Sequence, residues 1–286
     1  MKDLRKAGSI VAQDGVKVYY WTSWSREMDK SWVVMHPGSS MNHSSLEGLE
    51  KGINELGHPT ILIEPRGVGY SGSPEEKGYY TLDKYSGDLE SIVWKQGIAK
   101  PSLLGHSYGF MPEVDYTART KNAEQLIGIC ASHNFIETAP NKAAVVLFGL
   151  GWRAGETILS PVLGLQHWIK GEDRSYNDQS GLEGKSDLGV FPYIADVPFS
   201  KLRVYDISGT EQIGSDISQQ LGEIETPLVL IYGEKDMMVP FEKAAGAILN
   251  RAVKSPDKTA LIIDKAGHSL PITKPKEVAR VLKHYL

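Results

Sequence analysis

The sequence Gly-His-Ser-Tyr-Gly at residues 105–109 constrains this chain more than any other segment. An apolar run at 101–104 precedes it and predicts a short buried strand, and residues 111–119 after it are compatible with a helix. A serine between a strand and a helix, with a glycine on each side, is typical of a very tight turn. Such a turn lifts the serine hydroxyl above the edge of a sheet. We therefore predict that Ser107 is a nucleophile.

Chain length and composition exclude several classes of protein. At 286 residues the chain can bury a large core, and its net charge of −4 without a long basic run argues against nucleic-acid binding. The single cysteine, Cys130, lies in an apolar run and predicts a buried, unreactive thiol. The N-terminus lacks the apolar stretch of a signal peptide, and the longest apolar window, 143–152, is about half the ~20 residues of a membrane span. We expect a soluble, cytoplasmic protein.

Short apolar runs alternate with segments of helical periodicity over most of the chain. A hairpin is predicted at 9–21 around Asp14-Gly15, because Asp-Gly between two strand-like segments favours a tight turn. Continuous apolar strands separated by amphipathic helices are typical of a parallel sheet with helices on both faces. The sequence therefore predicts an α/β fold with a mostly parallel, eight-stranded sheet and an antiparallel hairpin at one edge. The further strands are expected at 32–35, 60–63, 101–104, 126–131, 228–232 and 260–263, and the helices at 46–56, 82–94, 111–119, 241–252 and 276–286.

Residues 137–222 interrupt this alternation. They contain two helix-like apolar segments, 143–150 and 157–168, followed by a stretch rich in glycine and charge. The segment is too long for a connecting loop inside a compact domain. We predict a core domain formed by residues 1–136 and 223–286, with residues 137–222 inserted as a mainly helical cap.

Two residues downstream are candidates to activate the serine. Ser107 needs a base against its hydroxyl, and that base needs a third group to orient it. Functional groups of a parallel sheet lie at the carboxyl ends of its strands, and Asp236 and His268 each follow one of the last two apolar runs. Each alone would also fit an ordinary loop, but three suitable residues at strand ends are much harder to obtain by chance. We predict a triad of Ser107, His268 and Asp236, with Glu234 as the alternative acid.

Several motifs together resemble one known family, and their chain order of serine, acid and histidine agrees with it. The chain resembles members of the α/β-hydrolase fold superfamily, near its soluble esterases, C–C hydrolases and iminopeptidase-like enzymes, over nearly its whole length outside the insertion. It departs from the family at Pro37, where glycine is usual, at Glu64, where aspartate is usual, and at Phe110, where a small residue is common. The motifs are His-Pro-Gly-Ser at 36–39, Glu-Pro-Arg-Gly-Val-Gly-Tyr-Ser-Gly at 64–72, Gly-His-Ser-Tyr-Gly at 105–109, Gly-Glu-Lys-Asp at 233–236 and Ala-Gly-His at 266–268.

The resemblance implies an oxyanion hole beside the serine. One donor would be the backbone N–H of Tyr108, and the other an N–H from the turn after the third strand. Pro37 has no N–H and cannot donate, which leaves Gly38 or Ser39. Gly38 is the first choice because it stands two residues after the histidine of the motif.

The resemblance also implies hydrolysis of a small carboxylic ester through an acyl-serine intermediate. Cleavage of a C–C bond or an aminopeptidase reaction on the same triad remains an alternative, as does a ligand-binding sensor with vestigial activity. No metal-ligand spacing and no dinucleotide fingerprint occurs in the sequence, so no cofactor and no metal are expected. The partner is a small-molecule substrate, and the oligomeric state, monomer or homodimer, stays open.

The inserted cap is expected to lie over Ser107 and to select the substrate. Three of its aromatic side chains, Phe148, Trp152 and Trp168, are candidates to line an apolar pocket, although they would equally pack the cap against the core. Glu137 and Glu156 are candidates to bind the amine of an aminopeptidase substrate, but surface carboxylates of this kind are common.

Overall fold

Eight strands form one sheet in the computed structural model of the chain, which describes residues 5–139 and 202–286. The order across the sheet is β1-β2-β4-β3-β5-β6-β7-β8. The pairs β1–β2 and β2–β4 are antiparallel, and all other pairs are parallel. The predicted fold class, a mostly parallel sheet with an antiparallel hairpin at one edge, is confirmed. The strands are β1 Arg5–Val11, β2 Lys17–Ser23, β3 Val33–His36, β4 Thr60–Glu64, β5 Ser102–His106, β6 Gln125–Ile129, β7 Leu228–Gly233 and β8 Lys258–Ile263.

Helices cover both faces of this sheet. One apolar cluster joins the sheet to α2, α3, α5, α6 and α7, and a second joins the opposite face to α1, α8 and α9. Both clusters consist of side chains removed from water, which is the main favourable term in folding. The α-helices of the described residues are α1 Glu47–Glu55, α2 Leu82–Lys95, α3 Phe110–Thr120, α4 Phe135–Thr138, α5 Leu202–Ile213, α6 Ser218–Leu221, α7 Phe241–Arg251, α8 Leu270–Thr273 and α9 Pro275–Leu282.

The opening hairpin turns where the Asp-Gly pair predicts. Gly15 has a φ of 84°, a left-handed conformation that costs glycine little. The N–H of Ala12 donates to the carbonyl of Val16 at 2.8 Å, and the Asp14 carboxylate accepts the N–H of Val16 at 3.2 Å. The turn is thus closed by one backbone hydrogen bond and by the Asp14 side chain.

The last strand is less buried than its apolar sequence suggests. β8 lies at the edge of the sheet beside β7, and Ile262 is 44% exposed while Ile263 is buried. The expectation of a strand covered on both faces was wrong for β8. An apolar run looks the same in sequence whether the strand lies inside a sheet or at its edge.

The helix α5 connects the end of the undescribed segment, residues 140–201, to the core. Val204 and Ile207 belong to the same apolar cluster as α2 and α3. The Glu211 carboxylate accepts the backbone N–H groups of Gly78 at 2.6 Å and Tyr80 at 2.9 Å. This helix is therefore held against the core by both apolar and polar contacts.

Candidate active site

The carboxyl end of β5 carries Ser107 on a strained turn. The φ of Ser107 is 53°, which is uncommon for a residue with a side chain and is typical of functional sites. A Cβ at Gly105 would lie 2.3 Å from the backbone nitrogen of Phe110, and one at Gly109 would lie 2.4 Å from the carbonyl oxygen of His36. Both flanking positions thus require glycine, as the sequence analysis anticipated.

His268 bridges the two other predicted members of the triad. Its Nε2 lies 3.0 Å from the Ser107 hydroxyl oxygen, and its Nδ1 lies 2.9 Å from Oδ2 of Asp236. All three side chains are buried, and the exposed fraction of Ser107 is 6%. Because Asp236 follows β7 and His268 follows β8, the parallel strands place all three at one edge of the sheet. The residues that the sequence separates by up to 161 positions form one hydrogen-bonded chain.

The Asp236 carboxylate is held by the backbone of its own turn. Its Oδ1 accepts the N–H groups of Met238 and Val239, both at 2.9 Å. Burial raises the pKa of Asp236, but the charge and hydrogen bond of His268 and the Val239 N–H outweigh it, so the pKa lies below its usual range. This carboxylate is therefore ionised at neutral pH. Glu234, the alternative acid, instead accepts the N–H of Lys265 at 2.8 Å.

His106 is a second histidine of the site, which the sequence analysis had treated as part of the turn alone. Its Nε2 donates to the main-chain carbonyl oxygen of His268 at 2.9 Å, and the two rings lie 5.3 Å apart. Burial, together with the nearby His268, lowers the pKa of His106 to about 3. The neutral ring therefore holds the backbone of His268 at any ordinary pH. Its position directly before the serine was the signal that could have identified it.

The predicted oxyanion residues lie beside the serine. Gly38 is buried, and a Cβ there would be 3.3 Å from Cβ of Ser107 and 3.0 Å from Nδ1 of His106. Ser39 is exposed. Tyr108 continues from Ser107 into a short 3₁₀ helix, Ser107–Gly109. The backbone at Gly38 thus lies close to the serine, and a side chain there would make tight contacts with Ser107 and His106.

The sequence of this chain matches one family of known proteins over most of its length. The family model described as the alpha/beta hydrolase family matches residues 33–281. The chain belongs to the alpha/beta hydrolase family. The match includes the strands that carry the serine, the acid and the histidine.

One curated relative of this alpha/beta hydrolase shares part of its sequence. A proline iminopeptidase of Lacticaseibacillus rhamnosus (strain Lc 705) is 27% identical over 100 residues, which make up 35% of this chain and 34% of that protein. This chain therefore matches about a third of the length of the curated relative.

Solved structures match over almost the whole chain. A bromoperoxidase from Bacillus anthracis has a TM-score of 0.73 at 19% identity, covering 97% of this chain and 99% of that chain. An esterase from Exiguobacterium antarcticum has a TM-score of 0.72 at 18% identity, covering 97% and 98%. At these identities the likeness shows the fold.

The loop after β4 in this hydrolase is tied down by two charged side chains. Arg66 donates to both carboxylate oxygens of Asp88, at 2.7 and 2.6 Å, to Asp14 at 2.7 Å and to the carbonyl of Tyr79 at 2.9 Å. The role of Arg66 is structural, with the carboxylates of Asp88 and Asp14 as its main partners. Glu64 accepts the N–H of Tyr70 at 2.5 Å and bonds the ring of His43.

The helix α5 and the residues after it also contact the site region. Tyr108, next to the serine, is buried, and its hydroxyl lies 3.4 Å from that of Ser215. Gln212 donates to the hydroxyl of Tyr85 at 2.7 Å, and the rings of Tyr85 and Tyr108 meet edge to face at 5.5 Å. Residues 202–222 were expected to belong to the inserted segment, so their contacts with Tyr85 and Tyr108 were not predicted from the sequence.

Several predicted cap residues lie outside the described part of the chain. These are Phe148, Trp152 and Trp168, together with Glu156. Glu137 is described, and its carboxylate bonds His133 at 2.9 Å and Arg251 at 3.4 Å. Two basic side chains of this protein already engage it. Among the described residues, no helix is long and apolar enough to cross a membrane.

Proposed function

We propose that this alpha/beta hydrolase cleaves a small carboxylic ester through an acyl-serine intermediate. One observation carries the proposal: His268 contacts the Ser107 hydroxyl with one ring nitrogen and the Asp236 carboxylate with the other, at 3.0 and 2.9 Å. A neutral imidazole held in this way accepts a proton from the serine on one side while the ionised acid stabilises the resulting positive charge on the other. The roles of nucleophile, base and acid follow for Ser107, His268 and Asp236.

The first half of the reaction forms the acyl-enzyme. The Ser107 oxygen attacks the ester carbonyl carbon while Nε2 of His268 takes the hydroxyl proton. The carbonyl oxygen becomes an oxyanion, for which we propose the N–H groups of Tyr108 and Gly38 as donors. Each preorganised donor contributes about 3–4 kcal/mol to the transition state. His268 then gives its proton to the departing alcohol as the tetrahedral intermediate collapses.

The second half releases the acid and restores the enzyme. His268 takes a proton from a water molecule, which attacks the acyl carbon of the Ser107 ester. The second tetrahedral intermediate collapses when the same proton returns to the Ser107 oxygen. Because His106 holds the main chain of His268, the imidazole stays in place through both halves.

Hydrolysis of an amino-acid amide is the second candidate. The match to a proline iminopeptidase favours it, although that match is confined to 100 residues. A substrate of this kind needs an anionic group for its free amine, and the Glu137 carboxylate is already bonded to His133 and Arg251. Ester hydrolysis needs no such group, which is why it is the first proposal.

We also propose that residues 137–222 form a cap that selects the substrate without supplying the triad. The contact of Ser215, just after α5, with Tyr108 supports the proximity of this segment to the serine, although α5 itself packs on the core through Val204, Ile207 and Glu211. The core would then consist of residues 1–136 and 223–286. In this proposal the acyl pocket belongs to the cap and the acid–base chemistry to the sheet edge below it.

The proposed function is tested with p-nitrophenyl acetate and butyrate and with a fluorophosphonate probe. We expect a burst of nitrophenol, which reports an acyl-enzyme, and a fluorophosphonate adduct on Ser107 by mass spectrometry. Ser107→Ala is the matched variant and loses both signals. An active preparation labelled elsewhere overturns the assignment of the nucleophile. Tight binding of these esters without any burst or turnover would identify a sensor instead of an enzyme.

A substrate panel separates the candidate reactions. Esters, thioesters, lactones and amino-acid amides are compared with the wild-type protein and Ser107→Ala. We expect the highest kcat/KM for a short-chain ester. Higher kcat/KM for a proline amide would replace the ester proposal with the aminopeptidase one.

A further inference from the structure

We propose that the thiol of Cys130 is a positioning residue of this site, donating a hydrogen bond to the carboxylate of Asp236 and so holding it against His268. This inference rests on the proposed function only for the kinetic part of its test. Sequence analysis predicts a buried, unreactive thiol at Cys130, and nothing in the reaction steps above uses it. Its position in the fold, beside Asp236 and His268, indicates a further role.

The backbone brings Cys130 to the same edge of the sheet as the triad. It follows β6, the strand between the one that carries Ser107 and the one that precedes Asp236. Its φ is 49°, a left-handed conformation that is uncommon for a residue with a side chain. The Cys130 N–H donates to the carbonyl of Ile231 on β7 at 2.8 Å. The turn after β6 is therefore fixed directly against the strand that leads to the acid.

The thiol lies among the catalytic groups. The sulfur of Cys130, a carboxylate oxygen of Asp236 and a ring nitrogen of His268 all lie within 4.8 Å of one another. Cys130 is 0% exposed, so no water competes for this space from outside. In a site without bulk water, even a weak donor such as S–H has a larger influence on a charged neighbour.

A count of acceptor positions shows where the thiol proton fits. An ionised carboxylate offers about four lone-pair positions. Met238 and Val239 fill two on Oδ1, and His268 fills one on Oδ2. In this proposal Cys130 fills the fourth position, because its sulfur lies within 4.8 Å of a carboxylate oxygen. Burial raises the pKa of Asp236, whereas His268, the Val239 N–H and then the Cys130 thiol lower it. The acid is thus surrounded by donors.

In the structure the thiol donates to the carbonyl of Gly267, 3.8 Å from the sulfur, and the Asp236 carboxylate competes for the same proton. A thiol has one proton, and hydrogen bonds to charged acceptors are roughly twice as strong as those to neutral ones. The Asp236 carboxylate is therefore the preferred acceptor. Gly267 immediately precedes His268, so the sulfur contacts both the acid and the loop that carries the base.

The other titratable groups near the thiol do not take over this role. The Tyr232 hydroxyl donates to the carbonyl of Ala131 at 2.8 Å, and burial, followed by its neighbours Cys130 and Asp236, raises the pKa of Tyr232 well above the usual range. His106 is neutral and donates to the main chain of His268. In the described part of the chain, the groups that respond to a change at Cys130 are therefore Asp236 and His268.

Three substitutions separate positioning from mere packing, because Cys130 also belongs to an apolar cluster. Cys130→Ser keeps a donor and Cys130→Ala removes it without branching at Cβ. Cys130→Val fills the volume without a donor but is strained at this left-handed φ, so its result counts only where Cys130→Ala agrees. We expect Cys130→Ser to retain the wild-type kcat, and Val and Ala to lower kcat about threefold to tenfold with an unchanged KM. Without the thiol, the Asp236 carboxylate binds the protonated imidazole more strongly. We therefore expect the acidic limb of the pH–kcat/KM profile to move to higher pH in Cys130→Val and Cys130→Ala, and not in Cys130→Ser.

A measurement that needs no turnover completes the test. In the wild-type protein the His268 Nδ1 proton, bonded to Asp236, is followed by proton NMR. We expect its resonance to shift in Cys130→Val and Cys130→Ala and to stay near the wild-type position in Cys130→Ser. If Ala and Ser give the same resonance and the same pH profile, the thiol only packs and the proposal is overturned. If wild type lacks ester turnover, the proposed function fails while the resonance still decides the role of Cys130.

Discussion

Nε2 of His106 donates a hydrogen bond to the main-chain carbonyl oxygen of His268, 2.9 Å away. His106, the residue before Ser107, thus fixes the backbone of His268, whose side chain contacts the Ser107 hydroxyl. Both ends of this contact are buried. A change in the side chain of His106 therefore acts on the Ser107–His268 distance through the main chain of His268.

The first prediction concerns this contact. His106→Leu should lower kcat by about 10²-fold with little change in KM, because a displacement of about 1 Å at the reacting groups has an effect of that order. His106→Gln retains an N–H donor and should lie between Leu and wild type. Ester kinetics and the rate of fluorophosphonate labelling, each normalised to the folded fraction, provide the measurement. A Leu variant with the kcat of wild type would show that the hydrogen bond does not position His268.

The second prediction concerns the identity of the acid. Asp236→Asn should lower kcat about 10⁴-fold with little loss of fold, since the amide cannot stabilise the imidazolium and favours the wrong tautomer. Glu234→Gln is the matched control, because its carboxylate accepts a backbone N–H from Lys265. Steady-state ester kinetics and circular dichroism test both. The reverse result, with Glu234→Gln inactive and Asp236→Asn active, would transfer the role to Glu234.

The third prediction concerns a buried carboxyl outside the reaction. Glu113 on α3 is 0% exposed, and neither of its oxygens has a hydrogen-bond partner within residues 5–139 and 202–286. Burial raises the pKa of Glu113 well above its usual range, so the folded protein keeps it protonated. The unfolded chain ionises near pH ~4.3. Above that pH the unfolded state binds fewer protons, so stability falls as the pH rises, until the folded group itself ionises.

Glu113→Met should therefore raise the free energy of unfolding by about 1–3 kcal/mol at pH 8, and by less at pH 4. Urea denaturation at the two pH values gives the measurement. The exposed Glu76 provides the control, and Glu76→Met should show no such dependence on pH. An equal gain at both pH values for Glu113→Met would mean that the charge of Glu113 plays no part.

The fourth prediction concerns the cap. Trp152→Ala and Trp168→Ala should change the chain-length preference among p-nitrophenyl esters, while fluorophosphonate labelling of Ser107 is retained. This follows from the sequence-based interpretation of 137–222 as the segment that shapes the acyl pocket. The ratio of kcat/KM for butyrate and acetate is the measurement. If both variants fold and keep the wild-type ratio of kcat/KM, these tryptophans do not line the pocket.

Local patterns were enough to predict the fold class and the elements that carry the site. Asp14-Gly15 predicts the hairpin because glycine readily adopts the left-handed φ found there. The Gly-His-Ser-Tyr-Gly segment predicts the turn at Ser107 because backbone atoms leave no room for a Cβ on either side. Both signals act over a few residues, so they are visible in the sequence.

Contacts between distant segments were not predictable in the same way. His106 contacts the main chain of His268, the Cys130 sulfur lies within 4.8 Å of an Asp236 oxygen, and Gln212 contacts Tyr85 only because parallel strands and α5 bring them together. The exposure of β8 is likewise a matter of its place at the sheet edge. Periodicity reports which side of an element is apolar, but hydrogen bonds across the sheet depend on strand order and register, which no local pattern encodes. The sequence therefore predicts the types of the reactive groups, and the packing of the sheet determines which groups hold them in place.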